Sequence, residues 1–403
     1  MRYLILALLL ILPSLASATW QSDLEATFDI VSTFDELQDW HGGTVGETTY
    51  LSGTVQTSAT YLPKLLNDDP SPVWKLFSNN RAWDGLEEWI GVRAEGLAFS
   101  GTKSLCIAYM DLSYPNDATK DTDGKGPSRL ISFFGTGSDP KTGYPDIHVF
   151  YMVKFPSGFF TKKLAPNETE YADQPTVKHN EILSGFTAIE YWGTAAEHAL
   201  ITGNHDGAKI NYGMNWTVNN FTGGGASTPT NIYLSVTQGV PNEETPGTDA
   251  YDYIGTILNT TSVGQDLRGA NLATAYESGE WKGFEFRLKR STSVNGTDGL
   301  FSFKIYNSDG TLYAEDEMTG LSTMEDYDHW YNKVGIGGNY NSISAVNPQG
   351  ITHFYVDDFI VHGSEIAPTY FSMLNGNLGK ISVGTAGTPT SSKTTGTQVS
   401  ITQ

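Results

Sequence analysis

Apolar and polar residues alternate with a period of two along much of the chain, the pattern of strands that bury one face. Ile147 to Phe155 is one such run and Asn231 to Val236 is another. In Trp281 to Lys289, Phe284, Phe286 and Leu288 oppose Glu285, Arg287 and Lys289, so one side of that strand is expected to pack while the other is wet or lines a groove. Leu300 to Tyr306 predicts a strand that returns through Asn307-Ser308-Asp309-Gly310 into Leu312-Tyr313-Ala314, a hairpin signal. Val334 to Gly338 and His353 to Val361 complete the series. Helical spacing is rare, and Asp35 to Trp40 predicts a turn only. Many strands with Gly-rich connections imply an all-β, two-sheet antiparallel sandwich. No fixed-period repeat is present, which argues against a solenoid or propeller.

Composition bears on the class and the compartment. The 403 residues are 39% hydrophobic and 12% aromatic, with 43 glycines, enough for a core that needs no covalent staples. Arg2, the apolar run Leu4 to Leu12 and Ala16-Ser17-Ala18 read as a signal peptide over residues 1–18, hence a secreted, extracellular chain. Pro13 interrupts the apolar run, and no later stretch is long and apolar enough for membrane insertion. The body is expected over 20–368, with Tyr114 to Pro127 and Pro241 to Tyr251 as long loop insertions. Residues 369–403 read as a flexible Gly/Ser/Thr-rich tail. Cys106 is the sole cysteine; it lies in the apolar run Ser104 to Tyr109 and is expected to be a buried, inert thiol. Asn167, Asn215, Asn220, Asn259 and Asn295 head Asn-x-Ser/Thr triplets near turn-forming residues and are candidate glycan acceptors. The formal charge of -21 argues against nucleic acid and anionic membranes, fits calcium binding or solubility, and requires a local basic groove for any polyanionic substrate.

Several segments then read together. Phe99-Ser100-Gly101-Thr102-Lys103-Ser104-Leu105, Val153-Lys154-Phe155-Pro156-Ser157-Gly158-Phe159, Lys178-His179-Asn180, Trp281 to Arg287, Asp298-Gly299-Leu300-Phe301 and Phe354-Tyr355-Val356-Asp357-Asp358-Phe359 fall in an order that resembles concanavalin A-like jelly rolls. In detail they are similar to secreted polysaccharide lyases of the alginate and glucuronan type. The resemblance spans roughly Phe28 to Pro368 with wide gaps, and implies the jelly-roll fold more strongly than the chemistry. The chain departs from those lyases in lacking their Gln-x-His and Tyr-x-Lys pairs, and it lacks the Glu-x-Asp-x-x-Glu strand of jelly-roll glycoside hydrolases.

Three constellations carry candidate chemistry. A β-eliminating lyase must neutralise a uronate carboxylate, remove the neighbouring ring proton and protonate the leaving oxygen. Lys178, His179, Tyr191 and Arg287 are the candidate catalytic residues, with Lys178 and Asn180 expected on one strand face and His179 on the other. Asn180, Trp192, Tyr212, Lys289, Trp330 and Tyr340 are candidate sugar-binding residues: rings stack on apolar sugar faces, and amides and cations meet hydroxyls and carboxylates. Asp29 and Asp358 are candidate ligands for a structural calcium joining the first and last strands, as the resemblance implies, with Asp357 directed to the opposite face. No organic cofactor is indicated. The rival expectations are a non-catalytic lectin-like or extracellular structural protein, and a glycoside hydrolase using carboxylates such as Glu181 and Glu190. The oligomeric state is not legible.

Overall fold

The computed structural model describes residues 20–37, 40–41, 64–65, 73–79, 90–93, 97–109, 127–135, 141–155, 157, 176–183, 213–221, 231–241, 251–256, 278–294, 296–321, 323, 328, 330–339 and 352–377. A short helix α1 (20–25) opens this set. The strands follow as β1 (Ile30–Ser32), β2 (Trp40–His41), β3 (Lys64–Leu65), β4 (Trp74–Asn79), β5 (Ile90–Arg93), β6 (Ser104–Tyr109), β7 (Pro127–Phe133), β8 (Asp146–Lys154) and β9 (Thr176–Leu183). Then come β10 (Gly213–Phe221), β11 (Asn231–Pro241), β12 (Tyr251–Thr256), β13 (Trp281–Lys289), β14 (Gly299–Asn307), β15 (Leu312–Leu321), β16 (Lys333–Asn339), β17 (Thr352–His362) and the helix α2 (Ala367–Asn377).

These strands form two antiparallel sheets. Sheet A runs β15-β14-β13-β8-β17-β6-β5-β2, with β1 also paired to β17; sheet B runs β12-β11-β10-β9-β16-β7-β4-β3. The last two strands slot into the sheet centres, β16 between β9 and β7 and β17 between β8 and β6, while the chain crosses repeatedly between layers. This is the concanavalin A-like jelly-roll sandwich that the alternating pattern and the quoted segments predict.

The filling between the sheets comes from the expected alternation. Phe284, Phe286 and Leu288 of β13 and the odd-numbered residues Ile147 to Val153 of β8 meet Ile182 of β9 and Val334 and Ile336 of β16. Cys106 is buried, as its apolar setting predicts. The hairpin also forms where expected: Asn307 N–H donates to Thr311 O and Gly310 N–H to Asn307 O, both at 2.9 Å.

The outer face of sheet A differs from the expectation. β8 and β17 are buried on both sides, because α1 and α2 lie across that face in a second apolar cluster. Trp20 and Leu24 of α1 join Phe150, Met152 and Ile360 of the sheet and Tyr370, Phe371 and Leu374 of α2. Each such large side chain contributes about 1.5–3 kcal/mol when fully buried. In α2 the apolar residues Ala367, Tyr370, Phe371 and Leu374 follow the spacing of one helical face, a signal present in the sequence. The packed body therefore continues past Pro368 to Asn377, and residues 1–19 and 378–403 lie outside the described residues.

Candidate functional site

Both helices cover sheet A, so among the described elements the outward face of sheet B carries no helix. At its centre β9 departs from regular alternation. Trp216 of β10 pairs with Asn180 and the next residue, Thr217, pairs with Lys178, so His179 is the extra residue of a β-bulge. The expected sharing of one face by Lys178 and Asn180 is thereby undone. Asn180 is fully buried, in register with Ile336, whose side chain belongs to the inter-sheet filling; its amide N and O atoms have no hydrogen-bond partner among the described residues. Lys178 instead takes a register position on the outward face, that of Glu181 and Asn215. On the neighbouring strand β16 this face is floored by Gly335 and Gly337, the latter at φ +83°, where a side chain is strained. Beyond Gly337, in register with it, lies Arg129 of β7. Arg129 went unremarked in the sequence; its signal is the alternation of Pro127 to Phe133, which becomes informative only once β7 is known to flank β16.

Arg287 is not brought to this face. It lies on sheet A, in register with His148 and Ser302, and its guanidinium grips Asp146 through Nε at 2.9 Å and Nη2 at 2.7 Å. Those hydrogen bonds, reinforced by the charges of Asp146, Glu317 and Glu365, hold the guanidinium proton more firmly than usual. Lys289 is half-buried on the same strand, in register with Asp146. Around Arg287 sheet A forms a charged cleft of about 350 Å³ on the side of the sandwich opposite β9. Glu285, expected on a wet face, is only 3% exposed. Its carboxylate accepts from the Ile366 N–H at 2.8 Å and the Ala367 N–H at 3.0 Å, capping α2, and lies 2.8 Å from His148 Nδ1.

Trp330 is half-buried and its indole Nε1 has no hydrogen-bond partner among the described residues. Asn215 and Asn220 lie inside β10 rather than in a loop. Tyr191, Trp192, Tyr212, Tyr340, Glu190, Asn167, Asn259 and Asn295 lie outside the described residues.

The two candidate calcium ligands make separate sets of contacts. Asp29 Oδ2 accepts from the Tyr144 hydroxyl at 3.0 Å and lies 2.7 Å from His362 Nδ1. β17 bulges after Asp357, and Asp358 adopts φ +47°, so both aspartates are buried instead of pointing to opposite faces. Asp358 accepts from Ser100 Oγ at 2.6 Å, from Trp20 Nε1 and from the Tyr370 hydroxyl; Asp357 Oδ2 accepts the N–H groups of Phe99 at 2.6 Å and Ser100 at 2.9 Å. Donors, not open oxygens, surround these carboxylates, and among the described residues no group of three or more His, Cys, Asp and Glu is placed to hold a metal ion. The described residues do not fit an ion shared by Asp29 and Asp358. Burial, above all, pushes the Asp358 carboxyl up to about 6 and the Asp357 carboxyl well above its ordinary range.

No family model matches the chain, and no curated protein matches it. Among solved structures, a marine alginate lyase from Aplysia kurodai is 14% identical with a TM-score of 0.38, covering 68% of this chain and 86% of its own. An alginate lyase from a Chlorella virus is 11% identical with a TM-score of 0.31, covering 67% and 88%. A legume lectin-like domain from Entamoeba histolytica is 13% identical with a TM-score of 0.29, covering 65% and 84%. At such identities and scores these likenesses say nothing about this chain's chemistry.

Proposed function

We propose that the protein engages an extracellular polysaccharide on the outward face of sheet B and, where it is catalytic, cleaves it by β-elimination. The observation that carries this reading is the bulge at His179, which sets Lys178 and Glu181 on one face beside a glycine floor. A sugar chain lying on a sheet needs such a floor, because side chains from a central strand would hold it off the backbone. Lys178 and, across Gly337, Arg129 supply the local positive positions that a carboxylated sugar requires against a net charge of -21. In the reaction Lys178 offsets the charge of the uronate carboxylate and His179 removes the ring proton beside it. The electron pair forms the new ring double bond, the glycosidic C–O bond breaks, and a tyrosine such as Tyr191 protonates the leaving oxygen.

The test is incubation with alginate, glucuronan and neutral glucans while following ultraviolet absorbance of the unsaturated product and reducing ends. Absorbance that is lost in His179→Ala supports the lyase. An unchanged rate in that variant removes His179 from the mechanism. Reducing ends alone favour a hydrolase, for which Glu181 stands on the same face. Retention on a glycan column with neither signal leaves a lectin-like binding protein. The leader and the five Asn-x-Ser/Thr triplets support a secreted glycoprotein; a mass decrease on enzymatic deglycosylation of the exported chain tests it.

A further inference from the structure

The cleft on sheet A plays no part in the chemistry assigned to sheet B, yet its groups are not all spent on one another. Across four strands one register row runs His148, Arg287, Ser302, Glu317. Arg287 is committed to Asp146, Lys304 to Glu365, and Glu285 to the first amides of α2. What remains is specific. Ser302 is 8% exposed, lines the cleft, and its hydroxyl has no hydrogen bond among the described residues. His148 is equally buried; its Nδ1 faces Glu285, while its Nε2 stands 3.9 Å from Asp146 Oδ1, beyond hydrogen-bond reach. Glu317 is exposed at the rim, beside Ser302 in register, and its carboxylate has neither a hydrogen bond nor an ion-pair contact among the described residues.

We propose that this cleft binds a small amine-bearing sugar, a hexosamine, with its ammonium on Glu317 and its hydroxyls on Ser302 and His148. Once the ion pairs Arg287–Asp146 and Lys304–Glu365 are set aside, two carboxylates are left over, the amide-bound Glu285 and the open Glu317, so the cleft selects a cation and repels a uronate. The remaining groups are a hydroxyl and a ring nitrogen, which sugar hydroxyls match because they both donate and accept. Strands spaced about 4.8 Å apart put Ser302 and Glu317 one spacing from each other and His148 two spacings from Ser302, a span of the order of one sugar ring with its substituents. A volume of about 350 Å³ is at the small end for ligand pockets, again the scale of a single ring. Among the described residues no Phe, Tyr or Trp lines the cleft, so binding is expected in the millimolar range.

Saturation-transfer NMR on the full chain with glucosamine, glucose and glucuronate at neutral pH tests this. Glucosamine is expected to bind, glucose about tenfold more weakly and glucuronate not at all. Glu317→Gln is expected to weaken glucosamine about tenfold while leaving the thermal midpoint unchanged, since the side chain is exposed. Ser302→Ala is expected to weaken glucosamine and glucose alike. Absence of glucosamine binding, equal binding of glucuronate, or undiminished binding by Glu317→Gln overturns the proposal. So does glucosamine binding that Lys178→Ala abolishes, because that places the sugar on sheet B; a failure of the lyase assay leaves this site untouched.

Discussion

The Ser100 hydroxyl donates to Asp358 Oδ1 at 2.6 Å across 257 intervening residues. The same serine's backbone N–H binds Asp357, and Asp358 also receives Trp20 of α1 and Tyr370 of α2. One pair of buried carboxylates thus ties both terminal helices and the segment before β6 to the central strand β17.

That knot gives stability a pH dependence. Burial raises the Asp358 carboxyl to about 6, above its unfolded value, and raises Asp357 as well. An acid whose folded value is raised contributes stability that is complete at low pH and is lost as pH rises through the folded value. The unfolding free energy is therefore expected to fall between about pH 4 and pH 7, by on the order of 3 kcal/mol. Asp358→Asn is expected to flatten this slope in urea titrations; an unchanged slope excludes Asp358 as its source.

Glu285→Ala is expected to destabilise the protein by about 2–4 kcal/mol, because it strips the cap from α2 and leaves two amides and His148 buried without their partner. Amide exchange should accelerate first in residues 367–377. Uniform acceleration across the sheets instead would show that Glu285 does not act through α2.

Gly310 turns the β14–β15 hairpin at φ +86°, and a Cβ there would lie 2.8 Å from Phe371 Cβ. Gly310→Ala is expected to cost about 1–3 kcal/mol, from backbone strain and from displacement of α2. Phe371→Ala costs stability by itself, but in the double variant the two losses should sum to less than their separate values. Strict additivity would place the whole cost in the turn.

Chelation is expected to leave the thermal midpoint unchanged, since Asp29 and Asp358 are already engaged by protein donors. A midpoint that falls in EDTA and returns with calcium would show that these carboxylates rearrange around an ion.

Much of the sandwich was legible in the residues. Alternation in β8, β13, β14 and β17, and the turn Asn307 to Gly310, describe local geometry that each segment satisfies alone. The helix α2 was legible in principle, through the spacing of Ala367, Tyr370, Phe371 and Leu374, but its short run sits against a Gly/Ser/Thr-rich terminus that masks it.

By itself the sequence determined the period-two patterning, the apolar filling and the residue types available for chemistry, because these depend on neighbours within a few positions. Only the tertiary structure decided which residues share a surface. Bulges at His179 and after Asp357 shift the alternation by one residue, so Lys178 parts from Asn180 and both aspartates turn inward. Sheet membership then sends Arg287 to one side of the sandwich and Lys178 to the other. A bulge is a register choice between two strands, and sheet membership a choice among all of them; both are set by long-range packing that no single segment encodes.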